Sequence, residues 1–148
     1  YVSLWEAEKA RLDVAAAAAE AEHNKLENVV ARKLDELNAK LEEAKASSAA
    51  HITSSTGYVV NANNTAKQNI DELITAMTAQ NLSTVNFMTF DNTLAELTLE
   101  QLKTIQLELI SYGTNLYARK WALRSQIEAC ATKEEVDAIV ISYADVTV

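Results

Sequence analysis

The 148 residues carry 13 Lys and Arg against 21 Asp and Glu, a net charge of −8, which argues against non-specific binding to nucleic acid or to an anionic membrane. A single cysteine can form neither an internal disulfide nor a cysteine-rich zinc site. The longest apolar run, Val14 to Ala19, is far shorter than the roughly 20 residues of a membrane span. The chain begins at Tyr1 with no charged-then-apolar leader, which reads as an excerpt of a longer protein.

Residues 1–48 read as one long helix. Ser3 and Glu6 fit a capping box, and no helix breaker follows before Ser47. Apolar and small residues recur at coiled-coil spacing through Leu12, Ala16, Ala19, His23, Leu26 and Val30. After a stutter the seam resumes through Leu34, Leu37 and Leu41. These nine residues are the candidate oligomer interface. Such a narrow seam favours a coil between copies. An intrachain packing of the helix on its own C-terminal domain, or a solvated single helix, remains the alternative.

A polar joint spans residues 49–63, with a Gly57 turn and then Tyr58-Val59-Val60 as a strand or extended arm. The small α-rich domain spans 64–148. Asn63 or Asn64 caps a helix to about Gln80 with Ile70 and Leu73 on its apolar face. A β-hairpin follows at about 84–97, turning at Asp91-Asn92. Thr98 and Gln101 open a long helix through Leu102, Ile105, Leu109, Leu116, Leu123 and Ile127, in which Gly113 suggests close packing or a kink. Thr132 and Glu135 open a short last helix. Phe87, Leu97 and Trp121 complete the expected core. The fold class is therefore mainly α, a long N-terminal coiled-coil helix followed by a small helical domain with an inserted β-hairpin.

No catalytic constellation is visible. His23 and His51 lie near no G-x-S-x-G serine, and a triad needs its base held against its nucleophile. His23 suits a polar layer in the seam, with a ring of His23 binding a metal or anion as a lesser alternative. The acidic pairs Asp35-Glu36, Glu42-Glu43 and Glu134-Glu135 lack a calcium-loop pattern and read as solvated helix faces. Arg119, Lys120 and Arg124 around Trp121 form a basic–aromatic cluster that either covers a core tryptophan or grips an acidic partner. Cys130 reads as a small buried residue. No metal and no cofactor is expected.

Three blocks carry a resemblance. The first is Ile52-Thr53, Gly57-Tyr58 and Asn61-Ala62-Asn63. The second is Phe87-Met88-Thr89-Phe90-Asp91-Asn92 with Leu97-Thr98-Leu99-Glu100-Gln101-Leu102. The third is Tyr117-Ala118-Arg119-Lys120-Trp121-Ala122-Leu123-Arg124, then Ile127 and Ala131-Thr132-Lys133-Glu134-Glu135-Val136. Together residues 52–141 resemble an uncharacterised domain family of tailed-bacteriophage tail-fibre and tail-associated proteins. That family has no established catalytic residues to carry over. The resemblance implies a non-enzymatic structural tail component, located in the virion after synthesis in the bacterial host cytoplasm. Its partners would be copies of itself, a trimer before a dimer, and other tail proteins. A tail-fibre assembly chaperone absent from the mature virion is the alternative. Tyr58, Val59, Trp121, Ile141 and Tyr143 are the candidate partner surface, since apolar β-prone stretches beside polar joints can add to a neighbour. The bland reading of Ile141 and Tyr143 is that they finish the domain core.

Overall fold

A computed structural model describes residues 3–148. It is mainly helical, in the order α1 (Leu4–His23), α2 (Leu26–Ala46), β1 (His51–Thr53), β2 (Val59–Asn61), α3 (Asn64–Gln80), β3 (Thr84–Met88), β4 (Leu94–Thr98), α4 (Leu99–Glu128) and α5 (Lys133–Ala138). The strands form two separate antiparallel pairs, β1 with β2 and β3 with β4.

Local signals set most helix starts. Ser3 and Glu6 bond reciprocally at α1, and Thr98 and Gln101 do so at α4. The Asn63 side chain accepts from the Ala66 amide at 2.9 Å. At α5 the Thr132 hydroxyl accepts from Glu135 N, while Glu135 reaches back to the Ala131 amide, one residue before the cap.

At 30 residues, α4 is the spine, about 45 Å long. Leu102, Ile105, Leu109, Tyr112, Leu116, Leu123 and Ile127 form its buried face. Helices α2 and α3 both pack on it, and α5 packs on α2. Leu37 and Leu41 from α2, and Ile70 and Met77 from α3, are all 1% exposed in the same core.

This packing corrects the expected self-interface. Leu37 and Leu41 are fully buried within the chain, and Leu26, Val30 and Leu34 lean on the same core. A heptad seam records that a face is buried, not which surface buries it. Here α4 does. The expected single helix is also divided, at Asn24-Lys25. The Asn28 amide donates to the Glu22 carbonyl at 2.6 Å and the Arg32 guanidinium to the His23 carbonyl at 2.7 Å. These side chains take over carbonyls at the end of α1, and Lys25 turns extended with ψ 138°.

The joint is likewise part of the core. β1 and β2 pair with Ile52 opposite Val60, and both side chains are buried. Gly57 closes the turn at φ 96°, a backbone shape that a Cβ disfavours. The second hairpin matches its expected limits. Val85 faces Leu97 and Phe87 faces Ala95, with Ala95 and Leu97 buried. Phe90 N donates to Val59 O at 2.9 Å, and the Phe90 ring stacks on His51 at 4.4 Å, which ties the two hairpins together. Gly113 produces neither a close approach nor a break. It sits mid-α4 with nothing within 4 Å of where a Cβ would lie.

Candidate interaction surfaces

The C-terminal stretch turns inward. Ile141 and Tyr143, expected on a partner surface, are 5% and 6% exposed. The Tyr143 hydroxyl donates to the Leu37 carbonyl at 3.1 Å, so the tail buckles onto α2. Arg119 holds it there, donating to Ser142 O at 2.8 Å and to the Asp145 carboxylate at 2.7 Å. The Arg119 guanidinium keeps the Asp145 carboxyl below its ordinary value. The bland reading of the tail is the correct one: apolar Ile141 and Tyr143 finish the core. The basic–aromatic cluster therefore divides, because Arg119 serves the tail and Arg124 pairs with Glu128 at 2.7 Å.

Trp121 is displaced from the expected core to the surface, at 59% exposed. At 100° per residue it lies roughly 140° around the helix from Leu116 and 160° from Leu123. It belongs to a second stripe on α4. Leu107, Ile110, Thr114, Tyr117 and Trp121 follow at steps of 3, 4, 3 and 4, opposite the core face. Leu107 is 66%, Ile110 43% and Tyr117 37% exposed, and the Tyr117 and Trp121 rings lie 6.2 Å apart. Attention to the core face alone missed this stripe. Its own spacing was the available signal.

Cations border the stripe. Lys45 from α2 donates to the Tyr117 hydroxyl at 2.9 Å and lies 5.2 Å from the ring centre. The Tyr117 hydroxyl, then the Glu42 carboxylate, hold its ammonium above the ordinary lysine range. Lys45 and Lys67 line a groove of about 340 Å³ whose wall includes Ile110, Gly113 and Tyr117. Lys67 and Lys120 make no ion pair among the described residues, and Lys120 is half-buried beside Trp121.

Helix α1 is the other open surface, with no buried residue. Leu12, Ala16, Ala19 and His23 are all exposed, so this half of the expected seam is free, as are Trp5 at 70% and Val14 at 70%. Tyr58 is half-buried against the core and Val59 lies at the surface, where its carbonyl already accepts from Phe90. Cys130 is half-buried, with its thiol 3.2 Å from the Gln126 carbonyl. Among the described residues no three or more His, Cys, Asp or Glu converge as a metal site. No described helix is long and apolar enough to cross a membrane.

Compared with known proteins, residues 28–140 match the family described as Domain of unknown function (DUF4376). The matched span covers nearly all of α2 and runs through α5, and leaves α1 outside it. No curated protein and no solved structure matches the chain.

Proposed function

This chain belongs to the DUF4376 family, and we propose that it is a structural component of a phage tail, a tail fibre or tail-associated protein that assembles with copies of itself. Helix α1 carries this reading. It is a 20-residue helix that buries none of its side chains, leaving Leu4, Trp5, Leu12 and Val14 in water. In proteins most of a helix's stability comes from packing an apolar face rather than from propensity. A chain that keeps such a helix off its own core is built to place it on another chain. The run Ala15 to Ala19 favours helix strongly and gives a flat face open to close approach.

The phage assignment rests on the three sequence blocks described above, all of them inside the family span. The assembly is threefold, as fibres of that kind generally are, and acts by presenting surface rather than by catalysis. Its place is the virion, after synthesis in the host cytoplasm. Immunogold labelling of purified particles with an antibody to α3–α5 tests the reading. Label on tails supports it. Label confined to the lysate, with tailless particles in a deletion strain, indicates an assembly chaperone instead.

A further inference from the structure

Strand β3 leaves one edge unpaired. The Thr89 amide donates to Thr93 O at 2.9 Å, and the β3–β4 register then bonds Phe87 with Ala95 and Val85 with Leu97. Bonded and non-bonded pairs alternate along an antiparallel ladder, so the amides and carbonyls of Thr84, Asn86 and Met88 point away from β4. Phe90 continues that outward set, and its amide reaches β2 at Val59 O. Past this single bond, the backbone groups of Asn86 and Met88 have no partner among the described residues. Natural sheets usually protect such an edge with lysine, proline or a bulge. Strand β3 reads Thr-Val-Asn-Phe-Met, without charge or proline, and its register with β4 is unbroken.

A groove of about 560 Å³ runs beside this edge. One wall is the α3 face of Ala66, Asn69, Leu73 and Ala76, at steps of 3, 4 and 3, and the other is Asn86, Phe87 and Met88. The α3 wall is about 15 Å long, the length of roughly four to five residues of a strand. Leu73 and Phe87 are half-buried and give the groove an apolar floor. The carboxamides of Asn61, Asn69 and Asn86 line it, groups that both donate and accept. An edge of unpaired amides and carbonyls beside an apolar floor matches the backbone and alternating side chains of an extended peptide.

Charge narrows the occupant. Between Asn61 and Thr98, the segment that builds the groove, Lys67 is the one cation against Asp71, Glu72, Asp91 and Glu96, giving 1 − 4 = −3. Glu72 lines the groove itself, and Glu96 stands opposite Asn86 across the hairpin. The next charges along the chain, Glu100 and Lys103, pair with each other. A second copy of the chain, at −8, meets this surface with like sign.

We propose that the outer edge of β3 is a docking site for an extended, uncharged or basic segment of a partner protein. The segment adds a third strand to the β3–β4 hairpin and lays alternate side chains on the α3 wall. Main-chain hydrogen bonds to Asn86 and Met88 supply affinity, and the space over Ala66 and Ala76 selects side chains. The site is separate from α1 and stands whether or not α1 is the assembly helix.

Panning a displayed library of random peptides on the immobilised full chain supplies the probes. Selected peptides, made synthetically and titrated by fluorescence anisotropy, should carry no net negative charge and alternate apolar with polar residues. Asn86→Pro removes the outward amide at the centre of the edge, and edge strands tolerate proline where that amide faces solvent. It should weaken binding about tenfold or more. Trp121→Ser, exposed on α4, should leave binding unchanged. Hydrogen exchange on the wild-type chain reads the site without any variant. The Asn86 and Met88 amides should exchange fast in the free chain and become protected when a selected peptide is added.

If no displayed peptide binds, if selected peptides bind folded Asn86→Pro as tightly as wild type, or if the new protection lies elsewhere, the edge is not a docking site. Selection of acidic peptides would overturn the charge assigned to the partner. Self-association of the wild type that Asn86→Pro abolishes would make the occupant a second copy and overturn the partner assigned here.

Discussion

Replacing Leu37 with alanine separates an intrachain role for α2 from an intermolecular one. The side chain is 1% exposed, in the core that α2 shares with α4 and the tail. Leu37→Ala deletes three carbons, worth about 2.4 kcal/mol at roughly 0.8 kcal/mol per methylene. The cavity left in a rigid core raises the total to about 3–5 kcal/mol. Domains of this size are stable by about 5–15 kcal/mol, so the loss is a large share. At about 3 °C per kcal/mol the melting temperature should fall by roughly 9–15 °C. Urea titration followed by circular dichroism measures the loss, and light scattering of the same samples reads the copy number. The midpoint should fall while the folded chain keeps its wild-type copy number. If Leu37→Ala instead separates the copies and shifts stability by less than about 1 kcal/mol, α2 is an intermolecular coil and the packing described here is wrong.

Other consequences follow from single contacts. Tyr143→Phe removes the donor to the Leu37 carbonyl and should cost about 1 kcal/mol by urea titration; no loss would mean the tail is not anchored there. Gly113→Ala should raise stability by about 0.5–1 kcal/mol, since the added methyl meets open space and an ordinary helical backbone; destabilisation would reveal a close approach at that point. Burial pushes the Glu108 carboxyl up, but hydrogen bonds from Ser55 and Ser54 outweigh it and hold it below 4.5. A carboxylate with a depressed folded pKa stabilises the fold above its unfolded pKa, and that contribution is lost as pH falls through the folded value. Hydrogen-exchange protection of the Ser55 amide should therefore fall as acid protonates the Glu108 carboxylate, and protection that stays constant until the whole chain unfolds would contradict this anchor.

The elements that local chemistry decides were legible. Ser3, Asn63 and Thr98 sit where their side chains satisfy free amides, and that requirement involves only residues three positions away. The hairpin from Thr84 to Thr98 showed in its alternation and its Asp91-Asn92 turn, where Asn92 takes φ 61°. What a face packs against was not legible. Leu37 and Leu41 have the spacing of a coil whether the partner is a sister copy or α4. The break at Asn24 depends on Asn28 and Arg32 reaching back, which no breaker residue announces. The strands β1 and β2, of three residues each, are too short for a periodic signal. Trp121 was assignable by angle, but a large aromatic in a core-forming helix invites burial unless both faces are traced. The stripe it belongs to is, with α1, an apolar surface left exposed by the fold.

Whether the chain belongs to the finished particle is the central claim. Quantitative mass spectrometry of density-purified particles of the proposed phage source measures this directly. Peptides from both α1 and α4 should be present, at a copy number per particle that is a multiple of three. Their absence from purified particles, with abundant chain in the infected-cell lysate, would contradict a structural role in the tail.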